Sequence, residues 1–349
     1  MSAPLARRNL AVLVLVAVAT LVAACSTSAP PTKHIVKVTM TPTTTPPSVS
    51  GGDVHLNLTG PIDPPNSGAL LGAWVNPEGS LTQVTRVTAV DNLQRAIGRK
   101  LDIVHTYRRM TDAFPMPSDF QLTQGGATLM VSWATPASKE ITSGADDAQL
   151  VEWAKRFASF PHPIMLRMRW EMDRPNLTAT MGSGADFVAA WKHVRAIFTA
   201  QHVTNVSWVW CPTANGFTTG VAPSFYPGDD QVDWTCVDVY AATKLQPLST
   251  LLTPYLTWAA AHPKPIIIGE FGIADAYSPD VRSSWLADAA QEFRANPQIK
   301  AVCYFDSDPA GAVPQESFAL PTGSAPLTAF RTMAQQSYFN PHQQAVTKN

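Results

Sequence analysis

Two glutamates, Glu171 and Glu270, end two strand-like runs of similar make-up. The first run is Ile164-Met165-Leu166-Arg167-Met168-Arg169-Trp170-Glu171; the second is Pro265-Ile266-Ile267-Ile268-Gly269-Glu270. Near-continuous apolar, β-prone runs read as strands covered on both faces, as in parallel sheets. A carboxylate after three isoleucines is unfavourable unless water or a partner reaches it. In a closed barrel of such strands, the C-terminal strand ends face the mouth where active sites are built. Two carboxylates there suit cleavage of a glycosidic bond, one as general acid and base, the other as nucleophile.

Other side chains gather around this pair in the sequence. Strand alternation puts Arg167, Arg169 and Glu171 on one face. Tyr240 ends a strand that would neighbour Glu270, where a phenol could hydrogen-bond the nucleophile. Trp133, Trp210 and Tyr304 fall near strand ends and are candidate platforms for sugar rings. His105 and Tyr107 end another strand and rank below these. No G-x-S-x-G elbow supports a serine hydrolase. No His/Glu cluster has metal-ligand spacing, and no glycine-rich phosphate loop follows a strand. The chemistry therefore calls for no metal and no cofactor.

The elements that must carry these residues can be counted. Strand candidates span 70–75, 102–107, 127–133, 163–171, 206–211, 234–240, 265–270 and 301–306. Helical spacing appears between several of them. Asp146 or Asp147 could cap a helix presenting Leu150, Ala154 and Phe157; Phe187, Trp191, Val194 and Phe198 form a second stripe; Asp280 could open a third. Strands alternating with helices imply a parallel sheet. Eight repeats in this length predict an α/β fold, a (β/α)8 TIM barrel, rather than an open doubly wound sheet.

The rest of the chain of 349 residues bounds its setting. Arg7 and Arg8 precede an apolar run from Leu10 to Ala24, the size of a signal segment and short for a membrane span. Val22-Ala23-Ala24-Cys25 is similar to a bacterial lipobox, which makes Cys25 the lipidation candidate and residues 1–24 a lipoprotein signal peptide. Residues 25–65 are rich in Thr, Ser and Pro and read as a disordered linker. Residues 66–340 form the single barrel domain, followed by a tail, 341–349. The formal net charge is −1 and no basic stripe occurs, so nucleic acid is not an expected partner. Cys211, Cys236 and Cys303 match no zinc pattern. Two of the three could pair, but spacing does not say which, and at least one should be a buried thiol.

Longer motifs carry a family resemblance. They are Gly72-Ala73-Trp74-Val75, the run from Leu166 to Asp173, Val206-Ser207-Trp208-Val209-Trp210-Cys211-Pro212, Phe225-Tyr226-Pro227-Gly228-Asp229 through Val232-Asp233-Trp234, Val237-Asp238-Val239-Tyr240, and Lys264 to Gly272. In order and spacing this set resembles glycoside hydrolase family 26, the β-mannanase family of a retaining (β/α)8 clan. The resemblance spans about Leu71 to Asp306. It implies Glu171 as acid/base, Glu270 as nucleophile and Tyr240 as the tyrosine touching the nucleophile. Two departures stand out: Trp170 replaces the family's histidine before the acid, and Asp173-Arg174 replace Asn-Gly after it. The expectation is a monomeric retaining endo-glycosidase acting on a β-linked polysaccharide or oligosaccharide, mannan-like or related. Trp170, Tyr240, Trp133, Trp210, Tyr304 and Arg167 would bind the sugar. Cys25 would tether the protein to the membrane outside the cytoplasm. The alternatives are a non-catalytic glycan-binding surface lipoprotein on the same barrel, or a glycosidase for a cell-envelope glycan.

Overall fold

The computed structural model describes residues 61–309 and 313–341, all within one compact unit. Cys25, the signal segment, the linker up to residue 60 and the tail beyond 341 lie outside the described residues. Each apolar run in the sequence becomes a strand: β1 (Leu70–Val75), β2 (Ile103–Arg109), β3 (Thr128–Ala134), β4 (Ile164–Met168), β5 (Val206–Trp210), β6 (Trp234–Ala241), β7 (Ile266–Ile273) and β8 (Ile299–Asp306). Neighbours pair in parallel from β1 to β8, and β8 pairs back on β1 to close the barrel. Helices between the strands cover the outside, which is why the strands read as unbroken apolar runs.

Alternation divides each strand between two cores. Outward residues such as Leu71, Val131, Leu166 and Ile268 join the larger core beneath the helices. Inward residues fill the lower barrel: Leu70, Ile103, Met130, Met165, Val209, Trp234, Ile267 and Ala301. Ile62, expected in the linker, packs against this inner layer at the N-terminal mouth. Its N–H donates to Ser207 Oγ at 2.6 Å, and Trp234 Nε1 donates to its carbonyl at 3.1 Å. The folded domain's contacts therefore reach slightly further upstream than residue 66.

Helix ends follow local chemistry. The helix Gly184–Ala200 starts at Ser183, whose hydroxyl accepts from Asp186 N while the Asp186 carboxylate accepts from Ser183 N. Its apolar stripe, Phe187, Trp191, Val194 and Phe198, is buried as the spacing predicted. Cys211, just past β5, and Cys236, an inward residue of β6, are joined by a disulfide, and among the described residues Cys303 is the buried free thiol.

One irregularity decides where the second glutamate points. Val237 pairs with Ile268, but Asp238 pairs with Glu270, so Gly269 is an extra residue in β7. Simple alternation would put Glu270 on the outward face with Ile268. A bulge inserts one residue and re-aims the side chain that follows, and Glu270 faces the barrel axis. The position tolerates only glycine. A Cβ on Gly269 would sit 2.5 Å from Cys236 Sγ, 2.8 Å from Asp238 Oδ1 and 2.9 Å from Cys211 Sγ. Those sulfurs are fixed by their mutual bond and cannot move aside. Gly269→Ala should therefore destabilise the fold by about 1–3 kcal/mol, the scale of overpacking. Guanidinium unfolding would measure it; an unchanged midpoint would show that the bulge has room.

Candidate active site

The upper third of the barrel holds charges where the lower part holds hydrocarbon. Arg167, on the inward face of β4, is fully buried. Its Nη1 donates to Glu270 Oε1 at 2.8 Å, and its Nη2 pairs with Asp238 on β6. Two phenols complete the cage. Tyr107 Oη donates to Glu270 Oε1 at 2.6 Å and Tyr240 Oη to Glu270 Oε2 at 2.5 Å. Glu270 thus accepts from three donors arriving from β2, β4 and β6, an arrangement that suits a carboxylate, which has acceptors only. Burial pushes both phenols well above the usual tyrosine range, and the Glu270 charge adds to it, so both remain O–H donors.

Below this cage, burial raises the Asp238 carboxyl well above its ordinary value, with Arg167 opposing and Glu270 and Glu171 reinforcing. Burial, then Arg167, hold the His105 imidazole well below its usual pKa. The ring is neutral, and its Nε2 lies 2.7 Å from Ser132 Oγ.

Glu171 sits differently. β4 ends at Met168, and the chain turns through Arg169 at φ 48° and Glu171 at φ 54°. Left-handed backbone is unfavourable for side-chain-bearing residues and persists when surroundings enforce it, often at functional sites. Here Arg169 N donates to Trp133 O at 3.0 Å and Glu171 N to Cys211 O at 2.7 Å, fixing the turn to the ends of β3 and β5. Asp173 braces the same loop by accepting from Thr213 N at 2.9 Å and Thr213 Oγ1 at 2.6 Å. The expected column of Arg167, Arg169 and Glu171 on one strand face is therefore not formed: only Arg167 belongs to the strand interior. Burial, then the Glu270 charge, raise the Glu171 carboxyl above its ordinary pKa; Arg174, whose Nη1 lies 2.7 Å from Glu171 Oε2, lowers it, as does Arg167.

Aromatic rings form the wall over these acids. Trp74 on β1 meets Tyr107 edge-on with centroids 5.0 Å apart, and Tyr107 meets Trp170 at 5.0 Å. On the other side Tyr240 packs on Phe318 at 4.5 Å and Phe305 at 5.9 Å. Trp170 and Tyr240 thus both pack among rings at the barrel mouth.

Three other expected platforms do not reach the cleft. Trp133 alternates with inward Ser132, so it faces the helices and packs on Trp153, Phe157 and Phe198. Trp210 alternates with inward Val209 and Cys211; it packs on Phe217, Tyr226 and Trp258, with Nε1 on Phe225 O at 3.0 Å. Tyr304 faces outward against Phe271 and Phe330, its hydroxyl on Phe318 O at 2.8 Å. All three are fully buried. Arg167 is likewise too buried to touch a sugar; it holds Glu270 instead. The sequence reading underrated Tyr107 and passed over Trp74. Both share inward parity with residues below them, Ile103 and Leu70, a signal that alternation carries.

Comparison with solved structures places this architecture. A β-mannanase of glycoside hydrolase family 26 from Bacteroides ovatus superposes with a TM-score of 0.61 and 16% identity, covering 78% of this chain and 90% of that one. The modular endo-β-1,4-mannanase from Cellulomonas fimi does so with a TM-score of 0.59 and 17% identity, over 78% and 71%. The fold is that of the glycoside hydrolase family 26 barrels. The chain matches no protein-family profile. In sequence it is similar to endoglucanase H of Acetivibrio thermocellus, 28% identical over 262 residues, 69% of this chain and 28% of that protein. It is similar also to a β-1,3-xylanase, TXYA, of a Vibrio species, 28% identical over 154 residues, 41% of this chain and 32% of the other. The chain thus spans about a third or less of these curated relatives' own length.

Arg167 should be the residue on which the cage depends. Arg167→Met leaves Glu270 and Asp238 without their cation inside the barrel. The expected loss is about 3–5 kcal/mol of stability, the usual scale for breaking a buried ion pair from one side. Urea unfolding of the variant would read it directly, and a loss below about 1 kcal/mol would mean that water reaches the acids.

Proposed function

We propose that this protein is a retaining endo-glycosidase that cleaves β-linked polysaccharide. One observation carries the reading. Two carboxylates share the mouth of one barrel in opposite environments: Glu270 accepts from three donors, and Glu171 is desolvated with its pKa raised. Environments that separate two acids in this way assign the roles of nucleophile and proton donor. The names of its relatives, an endoglucanase, a β-1,3-xylanase and β-mannanases, support a β-linked glycan as substrate.

In the proposed cycle, Glu270 attacks the anomeric carbon while Glu171 gives its proton to the departing glycosidic oxygen. The bond from Glu270 to the sugar forms as the glycosidic bond breaks, and the charge of Glu270 is lost. That removes the repulsion raising the Glu171 pKa, so Glu171 becomes a base. It takes a proton from water, whose oxygen displaces Glu270 and restores both groups. Tyr107, Tyr240 and Arg167 orient the nucleophile. Trp74 and Trp170 offer apolar faces for sugar rings, and Trp170 replaces a polar neighbour with an aromatic one.

Hydrolysis of β-1,4-mannan, β-1,4-glucan, β-1,3-xylan and envelope glycans, followed by NMR of the released anomer, tests this. The expected first product has retained configuration. Glu270→Ala should abolish turnover, with azide restoring a product of inverted configuration. Glu171→Ala should impair poor leaving groups far more than activated aryl glycosides, because only the former need the proton. Inverted product from the unaltered protein, or full activity in either variant, would overturn the proposal.

The same reading places the enzyme outside the cytoplasm on a lipid anchor. Its support is the order of Arg7, Arg8, the apolar run and Val22-Ala23-Ala24-Cys25. Cys25→Ser should move the protein from the membrane to the soluble fraction with its thermal unfolding unchanged. Membrane association that survives the substitution would count against the anchor.

A further inference from the structure

Arg174 occupies an odd position for a residue beside a general acid. Its Nη1 lies 2.7 Å from Glu171 Oε2, three residues back along the same loop, yet its side chain is 50% exposed. That pair is the one hydrogen bond of its guanidinium among the described residues. It lines a cavity of ≈ 690 Å³ that Met172, Asp173, Thr213, Asn215 and Phe225 also border. The guanidinium therefore has space to leave Glu171 without displacing packed side chains.

A proton donor needs its proton when substrate is in place, and a cation at hydrogen-bond distance favours the deprotonated form. The groups facing Glu171 pull in both directions. Glu270 on β7 opposes its charge, while Arg174 on its own loop and Arg167 on β4 favour it; it also interacts with Asp238 and Tyr240 on β6. Arg167 is locked in the barrel by its two acids. Of these two cations, Arg174 alone is half exposed and borders open space.

We propose that Arg174 is a positioning residue for Glu171, paired with its carboxylate in the free enzyme and withdrawn into the adjoining cavity when a glycan occupies the cleft. Withdrawal lets Glu171 take up the proton that it delivers to the leaving oxygen. Return of Arg174 favours the carboxylate that must act as base in the second step. The idea rests on the acid/base role proposed for Glu171.

Two measurements test it, one of them independent of catalysis. Titration of the Glu171 side-chain carbon by ¹³C NMR, in the free protein, should move up by about one pH unit in Arg174→Gln. Arg174→Lys, which keeps the charge, should fall between. In the unaltered enzyme, the basic limb of kcat should lie at higher pH than that of kcat/KM, because the first reports the bound state and the second the free enzyme. In Arg174→Gln the two limbs should coincide at the higher pH. An unmoved Glu171 titration in Arg174→Gln would overturn the pairing. Coincident limbs in the unaltered enzyme would overturn the withdrawal. If none of the four glycans is cleaved, the enzyme reading itself fails, and the carbon titration still decides whether Arg174 controls Glu171.

Discussion

The site is organised by one buried guanidinium. Arg167 has no water to solvate it, and a lone cation in such a place would be strongly unfavourable. It is tolerated because Glu270 from β7 and Asp238 from β6 both reach it. The dependence runs in both directions. Glu270, at 4% exposure, in turn has a cation and two phenols facing its carboxyl group. One electrostatic cluster thereby ties β2, β4, β6 and β7 together across the barrel, and it fixes Glu270 to one orientation. The bulge at Gly269 is the backbone's part of that arrangement, since without the extra residue Glu270 would face the helices.

The two acids differ because their supports differ. Glu270 belongs to a strand and is held by rigid neighbours. Glu171 lies beyond the end of β4, on a turn through two left-handed residues held by single backbone hydrogen bonds to β3 and β5. Its carboxylate meets one ionic partner, Arg174, whose side chain is half exposed. A nucleophile benefits from fixed orientation, whereas an acid that must also act as base benefits from an environment that can change. In the proposed cycle, a strand for the nucleophile and a strained loop for the acid/base suit those needs.

Much of this was legible in the sequence, and the failures share a cause. The eight strands follow from apolar runs, and the two glutamates from their place at strand ends. Trp133, Trp210 and Tyr304 were misread because nearness to a strand end was weighed without parity. Each sits one residue from an inward neighbour, so each faces the helices. Parity would also have raised Trp74 and Tyr107. For Glu270 parity would have misled, because the bulge reverses it; the only local sign is Gly269, and glycine alone does not announce a bulge. The pairing of Cys211 with Cys236 depends on the register of β5 against β6, which no spacing rule encodes.

The same cluster bears on whether the barrel catalyses or only binds. Buried ion pairs give little net stability, and replacing them by well-packed apolar residues is often neutral or stabilising. A glycan-binding protein could present Trp74, Trp170 and Tyr240 to a sugar above a hydrocarbon core. It would have no use for a carboxylate aimed along the barrel axis and caged by three donors, or for a second acid with a raised pKa beside it. The electrostatic work in this barrel is concentrated where the proposed cycle would break a glycosidic bond, and catalysis accounts for it more economically than binding.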